Sequence, residues 1–357
     1  MYGFLAILAL AWPGATTAGA PARDDEVALL VARLRDPRIK IDERDAIRAQ
    51  LLAAGEEGAR ALQRHLEERD GRIEERATKR EKRHLADVEK AARKLVEGRL
   101  DKRALAEVDK LRKDVASLRN DAALTKERIH EVGDPAMARL KELLDVAIED
   151  VLDFDAELSK ARQALVEDLF ELEEDFGLWQ RCNAALPERK RSKELSDPSA
   201  RWPQIETTEN WICLLATPMS NNDRDVLVKN REVARALAEP EEAAGILDLN
   251  RLRIRLGLNA VSIDLKLCDA ARDHSNDMRT LGFFAHESPV EGKKTPWDRA
   301  ARMGTSASAE NIAGGQTTGV GANQGWWYSP GHHKNMLGGH SRVGLGRSET
   351  LWTQMFG

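Results

Sequence analysis

Aromatic side chains are scarce in this chain. Phe, Trp and Tyr make up 5% of its 357 residues, against 32% for Asp, Glu, Lys and Arg. That balance excludes a large all-β architecture and favours long helices with one apolar stripe. Net charge is lacking too: 60 acidic and 55 basic residues leave -5. No strongly basic face is expected, so no nucleic-acid partner is expected and an anionic membrane surface gains no support. Cysteine is limited to Cys182, Cys213 and Cys268. An odd count leaves at least one unpaired within the chain, and none has metal-ligand spacing. All three read as small buried apolar groups. The apolar run Phe4 to Trp12 is too short to span a bilayer. Pro13, Gly14, the small-residue patterns Ala18-Gly19-Ala20 and Ala20-Pro21-Ala22, and an abrupt onset of charge at Arg23 follow it. Residues 1–22 therefore read as a secretory signal peptide. The expectation is an exported protein (periplasm, cell envelope or extracellular) with no transmembrane segment after cleavage. No Cys follows the run, so a lipid anchor is not indicated.

Helical text comes next. Residues 24–186 hold few Gly and Pro, and apolar side chains recur every three or four positions. Leu105, Val108, Leu111, Val115 and Leu118 line one face. The run from Ile73 to His130 reads as one helix or as two broken near Gly98. Gly133-Asp134-Pro135 predicts a stop and a new start, because Pro suits the first helical turn. Leu140, Leu144, Ile148, Val151, Leu158, Leu165, Leu169 and Leu172 continue the pattern. Two long amphipathic stretches around a short break predict an antiparallel, coiled-coil-like helical hairpin. No polar cluster here resembles a site, and His65, His84 and His130 lie among charges and read as solvated. A spacer or homo-oligomerising element is the expected role. Residues 187–245 read as linker and connecting helix.

After Gly257 glycine becomes frequent, and five of the eight histidines appear: His274, His286, His332, His333 and His340. Function is sought here. "DAARDHSNDMRTL" has helical spacing and stops near Gly282. Val343 and Leu345, then Leu351 to Phe356, predict a β-hairpin turning near Ser348-Glu349-Thr350. Five motifs follow in register. They are Asn250, Arg253, Gly257 and Leu258; Ala271, His274 and Met278; Phe284, His286, Ser288 and Pro289; Ala309 to Ala313 ("AENIA"); and Trp326, Ser329, Pro330, Gly331, His332, Asn335, Met336 and Leu337. Gly344, Gly346 and "WTQMF" close the set. Residues 246–357 resemble the CAP superfamily of cysteine-rich secretory, allergen-type and pathogenesis-related proteins, in its bacterial secreted SCP-like branch.

The resemblance implies an α-β-α sandwich around a central antiparallel sheet. It also implies a cleft gathering His286, His332 and Glu310. Ser329 stands where eukaryotic members carry a second glutamate, so the two-His, two-Glu set is incomplete. No catalytic residue is assigned; His286, Glu310 and His332 are the candidates, and Ser329 completes the expected ligand cleft. Two imidazoles beside a carboxylate can hold a divalent cation, with His286 and His332 as ligands of a weakly bound Zn2+. The alternative is a hydrogen-bonded network in which Glu310 orients both histidines and no cofactor is required. His333 is expected to be exposed and His274 buried. Trp326, Trp352 and Phe284 are expected in the core. Ser288 and Ser329 lie near histidines, but no Gly-x-Ser-x-Gly elbow or oxyanion hole accompanies them. The expected function is binding of a lipid, glycan, peptide or protein ligand. A metal-assisted hydrolase and a cell-envelope scaffold are the alternatives.

Overall fold

The computed structural model describes residues 24–34, 36, 38–192, 201–235, 237 and 239–357. The expected signal peptide and residues 193–200 of the expected linker lie outside them. Helices dominate as far as Arg255, and a four-stranded sheet with short helices follows.

The described residues form two compact units. One takes in residues up to Lys79 and from Val166 to 192; the other takes in Arg80–Leu165 and Arg201–Gly357. The first has its own core of Val27, Ile47, Leu51, Leu62, Phe176 and Trp179. His65 is buried there, its Nε2 3.4 Å from Asp175 Oδ2. In the second unit His84 is buried with Nε2 2.6 Å from Glu209 Oε1, and Arg162 also grips Glu209. Neither histidine is solvated as the charge-rich sequence suggests. Each sits on the inner face of its helix with a carboxylate to satisfy the ring nitrogen. His130 alone of the three is exposed, paired with Asp134.

Local signals set the helix boundaries. The break expected near Gly98 falls at Leu100–Asp101, where the Asp101 carboxylate caps Lys102–Asn120 by accepting from Ala104 N. A single π-turn, Ile129–Gly133, precedes the helix Asp134–Leu144, which carries Pro135 in its first turn as expected. The stripe on Lys102–Asn120 is only partly an exposed seam. Val108, Val115 and Leu118 enter one core with Leu140, Trp326, Trp327, Trp352 and Phe356, while Leu105 stays exposed. A π-turn lets Gly133 approach Trp327 closely: a Cβ at Gly133 would lie 3.2 Å from that indole.

The sheet runs β1 (Ser262–Ile263), β3 (Arg342–Ser348), β4 (Leu351–Phe356), β2 (Ala309–Gly314). β2–β4 and β3–β4 are antiparallel, and the two-residue β1 joins β3 in parallel. The hairpin β3–β4 turns at Glu349 and Thr350, with Glu349 in left-handed backbone (φ 55). Helices cover both faces. On one, Leu265–Leu281 lies directly on β3: a Cβ at Gly344 would meet Leu267 backbone at 2.2 Å, and one at Gly346 would meet Arg272 N at 2.0 Å. On the other, Pro240–Arg255 crosses Gly319–Trp327 at Gly245 and Gly319, where only bare backbone fits. The three cysteines are free and buried. Burial pushes the thiols of Cys213 and Cys268 up to about 12, so neither is a nucleophile at neutral pH.

Candidate functional site

Three segments bring the cleft together. The helix Leu265–Leu281 ends at Gly282, whose φ of 70 turns the chain out into the loop that carries Phe284 and His286. β2 carries Glu310. The short helix Pro330–Met336, begun by Pro330 in its first turn with Ser329 as N-cap, carries His332. Its far end is fixed by Arg253, fully buried, which donates to Met336 O at 2.7 Å and Gly338 O at 2.9 Å. Burial pulls Arg253 down to about 10, which still leaves it cationic at neutral pH.

Glu310 is the hub. Its Oε1 lies 2.9 Å from His286 Nδ1, and its Oε2 accepts from Arg299 Nη2. The ion pair with Arg299 is shut off from solvent, with side chains 0% and 2% exposed. Arg299 also donates to His286 O at 3.1 Å and to Lys293 O at 3.0 Å, so one guanidinium closes the loop under His286. His286 itself is half exposed. Its ring centroid is 6.2 Å from that of His332, whose ring makes no hydrogen bond among the described residues. Burial, with the neighbouring His286 second, lowers the His332 pKa and keeps it neutral at pH 7.

Behind the cleft runs a chain of side-chain amides. Asn335 donates to Asn311 Oδ1 (2.9 Å), Asn311 to Gln354 Oε1 (3.0 Å), Gln354 to Asn323 Oδ1 (3.1 Å) and Asn323 to Asp248 Oδ2 (2.9 Å). All donate in one direction, so each polarises the next. Asn335 also holds Glu310 O at 3.2 Å. This network positions the strand and helix that carry Glu310 and His332.

His286, Glu310 and His332 are thus brought together as the motifs imply. Ser329 is not engaged: its hydroxyl caps nothing. Ser288 is buried and turned onto Val290 N. His274 is buried with Nε2 3.0 Å from Ala285 O, as expected. Two expectations are corrected. His333 is fully buried, with Nδ1 2.8 Å from Trp327 O, because the helical turn sends it inward when His332 points to the cleft. Phe284 is 56% exposed rather than core, since it lies past the helix stop and stands beside Gly314. Trp326 and Trp352 are core. Sequence reasoning missed Arg299, which reads as one more surface charge in "PWDRAAR"; only the start signal Thr295-Pro296 marks its helix. It also missed Ser308 Oγ, 2.9 Å from His340 Nδ1.

The donor set bears on metal binding. Glu310 Oε1 and Oε2 both have partners, and the buried guanidinium of Arg299 adds positive charge behind it. Among the described residues no group of three or more His, Cys, Asp or Glu side chains is placed to hold a metal ion. What fits is a two-nitrogen site. His286 with its proton on Nδ1 leaves Nε2 as a lone-pair donor, and Glu310 orients the ring from behind.

Residues 248–355 match the family model for the cysteine-rich secretory protein family, CAP, and are a CAP domain. The chain is 38% identical over 112 residues to the uncharacterized protein YkwD of Bacillus subtilis (strain 168), covering 30% of this chain and 43% of that one. It is 32% identical over 113 residues to the uncharacterized membrane protein YlbC of the same organism, covering 31% and 33%. A crystal structure of an extracellular protein containing an SCP domain from Bacillus anthracis str. Ames is 30% identical, covering 39% of this chain and 44% of that one, with a TM-score of 0.32. The matched region spans less than half the length of each relative. No helix among the described residues is long and apolar enough to cross a membrane.

Proposed function

We propose that this is an exported protein whose CAP domain, read as an α-β-α sandwich, acts by binding. The ligand is a lipid, glycan, peptide or protein held at the His286–His332 cleft. The commitment of both Glu310 oxygens carries this reading. One orients His286 and the other neutralises Arg299, so Glu310 is not free to serve as a general base. Ser329 offers no carboxylate in its place. The accessible groups that remain are two imidazoles and the exposed ring of Phe284, a surface that recognises rather than cleaves. Export is supported by the pattern of residues 1–22. The N-terminal helices serve as spacer or oligomerisation element.

The test records imidazole and backbone NMR shifts of the full chain against three probes: phosphatidylglycerol vesicles, chitooligosaccharides and a mixed peptide pool. Shifts at His286 and His332 with one probe, abolished by His286→Ala/His332→Ala, support binding. Esterase or peptidase turnover abolished by Glu310→Gln would overturn it in favour of the hydrolase.

A second reading gives the same cleft a weakly held Zn2+. The uncommitted Nε2 of His286 and the unbonded ring of His332 favour it. Metal–nitrogen bonds of about 2 Å on each side can span such ring separations. With only two protein nitrogens the affinity is modest. Bound there, the ion would act as a Lewis acid toward a ligand oxygen, while Glu310 would hold the His286 tautomer from behind. Calorimetric titration with zinc tests this. Heat lost in His286→Ala/His332→Ala supports it, and no heat in the unaltered chain removes it.

A further inference from the structure

A second concave site lies in the same compact unit and shares no residue with the imidazole cleft. It is a cavity of about 680 Å³, within the roughly 300–1,000 Å³ of small-molecule sites. Its walls come from both parts of the chain: Arg99 and Lys141 from the N-terminal helices, and Asp248, Arg251 and Arg255 from the helix Pro240–Arg255 that opens the CAP domain.

The charges along it are unequally satisfied. Three of its four carboxylates are engaged. Asp145 pairs with Arg255, Asp150 accepts from Ala147 N, and Glu142 lies 2.8 Å from Arg139. Arg255 is likewise engaged, with Nε and Nη2 on the Asp145 carboxylate. Arg99 and Arg251 differ, because neither has a carboxylate within ion-pair distance among the described residues. Arg99 gives Nη1 to the carbonyls of Glu142 and Asp145, and Arg251 gives Nη2 to Asn210 O at 3.1 Å. The other donors of each guanidinium fork remain for a ligand. Lys141, at the exposed rim, also lacks an ion-pair partner among the described residues.

The fourth carboxylate is Asp248. Its Oδ2 ends the amide chain at Asn323, and its Oδ1 has no hydrogen-bond partner among the described residues. We propose that this cavity binds a small oxyanion, a carboxylate or a phosphate, gripped by Arg99 and Arg251 with Lys141 at the rim and Asp248 beside it. Two guanidinium forks lining one cavity suit either anion, since each presents coplanar donors to paired oxygens. Burial raises the Asp248 carboxyl above the usual range. The site needs residues from both parts of the chain, so it belongs to this two-part protein rather than to the CAP domain by itself.

Calorimetry of the full chain against inorganic phosphate, acetate and sodium chloride tests the proposal. Saturable binding of phosphate or acetate is expected, with chloride silent; the tighter of the two identifies the ligand class. Arg99→Ala and Arg251→Ala should each weaken it at least tenfold, and His332→Ala should leave it unchanged. If an alanine variant does not fold by circular dichroism, Arg99→Lys and Arg251→Lys replace it. They keep the charge but lose the fork, and a severalfold loss is expected. No saturable heat overturns the proposal. So does an affinity indifferent to both arginines, which would mean an adventitious ion only.

Discussion

Arg299 and Glu310 form an ion pair sealed from solvent under the loop that carries His286. Removing one partner of such a pair strands the other charge in a dry setting, at a cost of about 3–5 kcal/mol. Arg299→Met should therefore lower the unfolding free energy by that order and disorder His286. Arg299→Met/Glu310→Gln should recover much of the loss, because no bare charge then remains. Equal destabilisation by the single and double variants in denaturant melts would show that the pair is not coupled.

Acid should unfold the CAP domain from an unusually high pH. Burial lowers the pKa of His274, His332, His333 and His340. Between their folded values and the ordinary value of about 6.5, the unfolded chain binds more protons than the folded one. Stability is then full above that pH and falls as pH drops through the window. His333→Gln should flatten the dependence below pH 6.5 and leave the plateau above it unchanged in slope. A melting temperature that stays constant from pH 7 to 5 contradicts this.

The helices Lys102–Asn120 and Asp134–Leu144 share one core with the CAP domain, so neither should be fully stable without the other. Trp327 packs against Gly133 and lies in the core that includes Val108 and Leu140. Trp327→Ala should cost about 3–5 kcal/mol, and Gly133→Leu should cost stability through overpacking. Residues 246–357 expressed by themselves should melt well below the full chain and bind a hydrophobic dye. A fragment as stable as the full chain would show that the shared core contributes nothing.

The amide chain allows a sharper test of positioning. Gln354→Leu leaves Asn323 Oδ1 buried without its partner and Asn311 Nδ2 with only the long 3.5 Å bond to His332 O. An orphaned buried group costs about 1–3 kcal/mol. The loss should exceed that of Asn335→Ala at the solvent end, and His332 resonances should broaden in both variants. Sharp His332 signals in Gln354→Leu would argue that the chain does not hold that helix.

Much of this was legible in the sequence, for reasons that differ by residue. Pro135 and Gly282 act through their own backbone chemistry, so that helix start and that helix stop showed locally. The β3–β4 hairpin showed through alternation. The cleft set His286, Glu310 and His332 showed only through motif order, since three distant segments carry it. Arg299, Asn323 and Gln354 were hidden because a buried polar side chain is defined by its partner, and partners are far off in the chain. His65 and His84 failed for the same reason: charged neighbours in sequence say nothing about which face of a helix is turned inward. His333 failed because adjacency to His332 says only that it points away from the cleft, and that direction is the core. Phe284 failed in the opposite direction, an apolar residue left outside once Gly282 ended the helix.

The role given to Glu310 is tested most directly by the long-range 1H–15N spectrum of the imidazoles in the full chain at pH 7.5. His286 should carry its proton on Nδ1, toward Glu310, with Nε2 bare and facing the cleft, and Glu310→Gln should preserve that tautomer. An Nε2–H tautomer at His286 in the unaltered chain would contradict it, and would return Glu310 to the cleft as a free base.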